Sequence, residues 1–397
     1  MKEKILFLTT EIPYPLDSGG KIRSFNMLKS LYEKYEIDLL CFSEGNHKQE
    51  HISELNKLCK SVYVIKKIYK NSKSKSMLLK NVFLSVFKNK PFVVEKFYDK
   101  KYKYEIRRLL SEKSYKAIIV DHLQVAGYID DLSGNNVILS QHNCEFIILK
   151  RRFEKEKNVL KRLYLYIEYK KTQKYEKYIC RQVDSVIMLS NEDKNFLIDS
   201  SYKGANITII PISIEADYIK ETRNERLKNI LFLGTMSWFP NEQGILWFLE
   251  KAWPKIKQEN KELVLYIVGS NPSKEVISYS SEEIIVTGYV ENVNEYIEKC
   301  DACIVPLFIG GGMRVKILEC MVKGIPCIST TVGAEGIEYS NNKNIIIADN
   351  EEEFKMAIRQ INDVEIRKNM VESAKSLIEK KYSLKVITKK LEEIIEK

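Results

Sequence analysis

The residues best equipped for chemistry lie between Pro306 and Ile337, in the run PLFIGGGMRVKILECMVKGIPCISTTVGAEGI. Three consecutive glycines, Gly310, Gly311 and Gly312, let a ligand approach the backbone closely. Arg314 and Lys316 then supply two cations just before a helix that carries Glu319. A diphosphate matches the cations and backbone N–H groups, and a ribose diol suits the Glu319 carboxylate. Charges alternating on a plain surface helix would need neither the glycines nor the acid. A second glycine loop, DSGGK at Asp17–Lys21, sets Gly19 and Gly20 where a helix begins. Helix N–H groups and the helix dipole favour a phosphate there, although a simple turn would use the same pair.

Two histidines each follow an apolar run, His122 in VDHLQ and His142 in SQHNCE. Imidazole changes charge near neutral pH and suits proton or charge handling, while a loop histidine bonded to backbone is the plainer reading. Glu145, three residues past His142, could orient that ring or cap the following helix. Eight cysteines are spread without a disulfide framework and read as reduced thiols. Cys300 and Cys303 form one CxxC, but the pair opens the apolar run CIVPL and reads as buried strand residues. His47 and His51 have helix spacing in a very polar segment with no third ligand. With no Asp-x-Asp pattern either, no metal is expected.

These residues need a scaffold. KILFLTTEIPYPLDSGGKIRSFNMLKSLYE reads as a buried strand at Ile5–Thr9, a Pro/Gly loop and an amphipathic helix with Ile22, Phe25, Leu28 and Leu31 on one face. Strands follow at Ile37–Phe42, Ser61–Ile65, Ala117–Val120, Val137–Ser140 and Ser185–Leu189, with helical spacing between, which predicts a parallel sheet. At Asn229 the same order restarts, ILFL included. The next strands are expected at Leu263–Val268, Ile284–Thr287, Ala302–Pro306, Pro326–Ser329 and Ile345–Ile347. The division expected is a first domain over 1–214, a polar hinge over 215–228, a second domain over 229–383, and a final helix over 384–397 able to pack on either domain.

The length of 397 residues is too great for one ordinary core. The longest uncharged apolar stretch, NVFLSVF at Asn81–Phe87, is far short of the ~20 residues that span a bilayer, and no cleavable signal follows Met1. A composition 44% hydrophobic and 30% charged excludes disordered, collagen and repeat classes. The net charge of +10 is unevenly placed: Lys60–Arg108 carries +12 and Lys150–Arg181 +8, leaving the rest near −10. Both basic segments are mixed with Tyr, Phe and Leu. An anionic partner would suit them: bilayer headgroups, nucleic acid or a phosphorylated acceptor.

Taken together, PYPLDSGGKIRSFNMLKSL, SNEDKNFL, GTMSWFPNEQGILWF, GYVENVNEYIEKCDACIVPL and the Pro306–Ile337 run resemble family 4 of the retaining glycosyltransferases, the group 1 glycosyl transferases. The resemblance covers nearly the whole chain. It implies an α/β protein of GT-B fold, two Rossmann-like parallel-sheet domains facing across a cleft, of a kind often serving surface-polysaccharide assembly. Glu319 matches the second acid of the family's donor motif, which holds the nucleotide ribose, whereas the first acid would fall at Gly311. The usual Arg and Lys after the second domain's first strand are also missing from Thr235–Gln243, so Arg314 and Lys316 are expected to neutralise the diphosphate. The implied donor site adds Gly19, Gly20, Gly234, Asn241, Gly310, Gly312 and Met313, with Tyr289 and Val290 near the base. His142 matches the family's active-site histidine, which contacts the donor sugar. Asp121 and His122 become acceptor-side residues, with Asp121 a proton acceptor.

The expected reaction is retaining transfer of a sugar from a nucleoside diphosphate donor, UDP before GDP, to a hydroxyl. No cofactor or metal is required, and domain closure brings Gly20 and His142 to the donor. The acceptor would be a lipid-linked saccharide, another saccharide or a protein. The expected location is cytoplasmic, and the basic segments raise docking on the inner face of the cell membrane. A sugar-nucleotide 2-epimerase of the same fold is the rival. A nucleic-acid-binding protein is the reading from another class, and no recognised nucleic-acid motif supports it.

Overall fold

The computed structural model describes residues 2–45, 47–67, 90–198, 204–215, 225–310 and 312–397. The chain divides into two compact units, one formed by Met1–Ser213 with Ile387–Lys397 and the other by Ile214–Val386. Most of the expected hinge over 215–228, the stretch 68–89 of the first basic segment, and Gly311 lie outside the described residues.

The first unit holds seven parallel strands: β1 (Lys4–Leu8), β2 (Glu36–Ser43), β3 (Ser61–Lys66), β4 (Ala117–Asp121), β5 (Val137–Ser140), β6 (Ser185–Met188) and β7 (Asn206–Ile209). Their order in the sheet is β3-β2-β1-β4-β5-β6-β7. Side chains alternate between the two faces of a strand, and both faces of this sheet are covered, so the strands read as continuous apolar runs. Leu6 and Leu8 pack with Leu40, Phe42, Ile118 and Val120 on one face. Ile5 and Phe7 pack with Leu39, Cys41, Ala117 and Ile119 on the other. The sequence reading missed β7, whose four residues NITI are too short to carry a period.

The second unit repeats the plan with β8 (Asn229–Leu233), β9 (Val264–Val268), β10 (Ile284–Gly288), β11 (Ala302–Val305), β12 (Cys327–Ser329) and β13 (Ile346–Ile347). All are parallel, in the order β10-β9-β8-β11-β12-β13. In each sheet the winding reverses beside its first strand, between β1 and β4 and between β8 and β11. Ligands of open α/β sheets bind in the crevice outside the strand ends at such a point.

Six helices matter below: α1 (Gly19–Leu31), α2 (Glu145–Lys155), α3 (Val159–Ile179), α4 (Phe239–Trp247), α5 (Val315–Val322) and α6 (Leu384–Ile395). The side chain of Ser18 caps α1 by accepting the Lys21 N–H. The buried side of α1 departs from the expected apolar stripe. Ile22 and Phe25 are half-buried, while Arg23, Ser24 and Asn26 are buried with Met27, Leu28 and Leu31. Helix α6 returns to the first unit, where Ile387, Leu391, Ile394 and Ile395 join the core face of Ile5 and Phe7. Among the described residues no helix is long and apolar enough to cross a membrane.

Candidate functional site

At the reversal point of the first sheet, β4 ends in Asp121, His122 follows it, and His142 stands two residues beyond the end of β5. Parallel register sets Asp121 beside Ser140, which brings the two loops together. Nε2 of His142 lies 2.8 Å from Asp121 Oδ1. The Ser24 hydroxyl donates to Asp121 Oδ2 at 2.5 Å, and Thr9 Oγ1 donates to the same oxygen at 3.4 Å. The buried polar face of α1 is thereby explained, because Ser24 serves the carboxylate. Arg23 serves the strand ends, donating to the Ile210 carbonyl at 3.0 Å and to Ser140 Oγ at 3.5 Å.

Electrostatics follow from this packing. Burial alone would raise the Asp121 carboxyl, but the charges of His142 and His122 and the hydrogen bonds from His142 and Ser24 outweigh it. The group is held below the usual carboxylate range. Burial, reinforced by His142, pushes His122 down to about 3 against the pull of Asp121. Burial also lowers the Arg23 guanidinium to about 10, opposed by Asp121. The two imidazole rings lie with centroids 3.6 Å apart. His122 has φ of 92°, an uncommon backbone for a side chain with a Cβ.

Gly20 faces both rings. A Cβ there would stand 3.7 Å from His142 Nδ1 and 3.9 Å from His122 Cε1. Gly20, Asp121, His122 and His142, read separately from the sequence, thus form one cluster, and Gly19 is the first residue of α1. Asp121 itself is fully buried. Its oxygens accept from His142, Ser24 and Thr9, whereas the sequence reading expected it to accept a proton on the acceptor side. Glu145 does not cap α2. Glu176 of α3 does, its oxygens accepting the N–H groups of Glu145 at 3.2 Å and Phe146 at 3.1 Å.

In the second sheet Gly234, Asn241 and Lys316, three of the expected donor residues, meet beside the reversal point. Lys316, in the first turn of α5, donates to Asn241 Oδ1 at 2.9 Å and also to the Leu233 carbonyl at the end of β8. Asn241, in α4, donates to the Thr235 carbonyl at 2.9 Å. Gly234 fits beneath it, since a Cβ there would come within 2.6 Å of the Asn241 amide carbon. Burial lowers the Lys316 ammonium to about 8, with Cys303 opposing the shift. The Arg314 guanidinium donates to the Gly312 carbonyl at 2.8 Å and lies over the Trp238 ring, 5.3 Å from its centroid. Gly310, at φ 142°, leaves room for that guanidinium; a Cβ would meet Arg314 Nη2 at 2.3 Å.

Met313 is buried, and Glu319 on α5 is half-buried, its carboxyl raised by burial and pulled down by Lys316. Tyr289, 76% exposed, and half-buried Val290 follow the edge strand β10, two strands out from the reversal point. Trp238 was missed by the sequence reading; an aromatic in a loop that lacks the usual cations was the available signal. Both CxxC residues are buried as expected, Cys303 on β11 and Cys300 just before it, and Cys303 gathers with Cys320 and Cys327, the three sulfurs within 4.8 Å of one another. All eight cysteines are buried and none is in a disulfide. Asp121, His122 and His142 likewise bring ligand atoms within 4.8 Å, a carboxylate and two imidazoles of the kind that hold a divalent cation.

Residues 227–363 match the family model described as glycosyl transferases group 1. A Klebsiella pneumoniae relative named as an uncharacterized 44.6 kDa protein in the cps region is 25% identical over 97% of both chains. An uncharacterized glycosyltransferase of Methanocaldococcus jannaschii, MJ1069, is 26% identical over 65% of this chain and 67% of its own. Among solved structures, Anabaena Alr3699/HepE in complex with UDP superposes with a TM-score of 0.69 over 100% of both chains at 11% identity; the same protein is also solved with UDP-glucose. The two parallel-sheet Rossmann-like domains are those of the GT-B fold, and the chain is a glycosyltransferase.

Proposed function

We propose that the protein transfers a sugar from a nucleoside diphosphate donor, UDP-linked before GDP-linked, to a hydroxyl of a lipid-linked saccharide in cell-surface glycan synthesis, with retention at the anomeric carbon. The observation that carries the reading is the cationic glycine-rich rim of the second sheet, where Lys316 and Arg314 are held beside Gly234, Gly310 and Gly312 at the point where the winding reverses. The Anabaena neighbour's UDP and UDP-glucose support the choice of base. The Klebsiella relative's cps region supports surface polysaccharide as the product.

In this mechanism the bond from the anomeric carbon to the diphosphate oxygen breaks, and negative charge grows on the phosphate. Arg314, Lys316 and loop N–H groups stabilise that charge. Burial makes Lys316 a cation whose field is poorly screened, and it keeps that charge at neutral pH because its lowered value still stands at about 8. Glu319 holds the ribose diol. The acceptor oxygen bonds the anomeric carbon on the face the diphosphate leaves, and its proton passes to the departing phosphate. His142, with Nε2 tied to Asp121, turns Nδ1 toward Gly20 and stabilises the reacting sugar. No metal is required in this scheme.

A thermal-shift screen against UDP, GDP, ADP and their sugars tests the donor, since a matched nucleotide stabilises in proportion to its affinity. NMR of the product tests the stereochemistry. An inverted product would overturn retention, and epimerised donor formed without acceptor would overturn transfer.

A further inference from the structure

We propose that the tip of the α2–α3 hairpin docks the protein onto an anionic lipid bilayer. It deepens the reading of a lipid-linked acceptor and rests on it for the presence of the bilayer, while the binding itself does not require the reaction. Every residue from Lys157 through Leu163 is exposed. Within that stretch Val159 and Leu160 are each 78% exposed and Leu163 is 56% exposed. Positions 159, 160 and 163 share one side of the first turn of α3. Three largely exposed aliphatic side chains at a helix start gain little from the fold, yet inserted among acyl chains they would be buried.

The surroundings of these side chains select the partner. From Lys150 to Arg162 there are seven Lys and Arg against two acids, Glu154 and Glu156. Both acids are engaged within the hairpin, Glu154 with Lys150 at 3.8 Å and Glu156 with the Asn158 N–H at 2.8 Å. The turn is well defined: Asn158 caps α3 by accepting the Lys161 N–H at 3.0 Å, and Phe153 packs on Tyr166 with centroids 5.4 Å apart. Cations ringing an aliphatic tip match anionic headgroups above acyl chains. A second copy of the same positive tip would be repelled. Nucleic acid would engage the charges and leave the aliphatic groups without use.

Flotation of the full-length protein with vesicles tests this directly. Binding is expected to phosphatidylcholine vesicles containing phosphatidylglycerol, to weaken as salt is raised, and to be lost with phosphatidylcholine alone. Leu160→Ser with Leu163→Ser should weaken it about tenfold or more, since each aliphatic side chain withheld from the bilayer costs a large part of the partition energy. Met356→Ser, a change at a 60% exposed apolar residue of the second unit, should leave it unchanged. Unaltered binding in the double variant, or no vesicle binding by the parent, overturns the proposal. So does concentration-dependent self-association that the double variant abolishes. Turnover of a water-soluble acceptor should be the same in parent and variant, which separates failure of docking from failure of the proposed reaction.

Discussion

Nε2 of His142 stands 2.8 Å from Oδ1 of Asp121, so the last residue of β4 and a residue just beyond the neighbouring β5 share one hydrogen bond. A carboxylate only accepts, and the ring nitrogen facing it therefore carries the proton. Nδ1 is the ring nitrogen that faces the side of Gly20. The first sheet thereby presents an imidazole whose Nε2–H is held from behind by a buried carboxylate.

Asp121→Asn should then lower kcat with little change in donor KM. The amide can present N–H to Nε2 and favour the opposite tautomer, and loss of an oriented proton-handling group costs roughly a hundredfold or more. Steady-state kinetics of Asp121→Asn beside His142→Ala checks this. Equal rises in KM with kcat intact would assign the pair to binding alone.

Arg314→Ala should cost far more than Lys274→Ala, an exposed change in the same unit. Removing one charge-stabilising donor from a transition state typically costs ~100-fold or more in rate. Because Arg314 also packs on Trp238 and ties down Gly312, thermal unfolding must accompany the kinetics. Near-parental transfer by a folded Arg314→Ala protein would sink the diphosphate assignment.

Gly310→Ala tests the same loop from the backbone. Its φ of 142° belongs to glycine, and the new Cβ would press on Arg314 Nη2. A destabilisation on the order of 1–3 kcal/mol is expected together with weaker UDP binding, read by denaturant unfolding and calorimetry.

The first unit should become less stable as pH rises from about 4.5 to about 8. Burial, with help from Asp193, raises Glu145 to about 7, and burial with the nearby Glu145 raises Glu176 to about 8. In that window the folded chain holds protons the unfolded chain has released, so stability falls with rising pH; below about 4.5 both states are protonated and the effect vanishes. Glu176→Gln, which keeps one acceptor for the α2 N–H groups, should flatten the slope in melting curves taken across that range.

Transfer should survive EDTA. The carboxylate and imidazoles of Asp121, His122 and His142 are close enough to hold a cation. Loss of activity on chelation, restored by a divalent metal, would give that cluster a metal and replace the metal-free scheme.

Much of the architecture was legible because buried parallel strands advertise themselves. KILFL and NILFL are apolar on both faces, and each opens a sheet at its reversal point. The clustering of Gly234, Asn241 and Lys316 could be anticipated only through resemblance, since their spacing spans dozens of residues and the contact is made across strand ends. Arg23, Ser24 and Asn26 were illegible for a different reason. A stripe rule assigns polar residues to water, and only the folded neighbourhood reveals that Ser24 answers the Asp121 charge and Arg23 the Ile210 carbonyl. Glu176 was hidden likewise, being 31 residues from the helix start it caps.

The homing of α6 makes the second domain, in topological terms, an insertion within the first. Cleaving the chain after Ser213 would therefore not yield an intact first domain. Ile387, Leu391, Ile394 and Ile395 would depart from the layer containing Ile5 and Phe7, stripping cover worth roughly 1.5 kcal/mol or more for each side chain. A lesion near the carboxyl end would strike the half that carries His142, and the second unit is separated only by excising Ile214–Val386 from the middle.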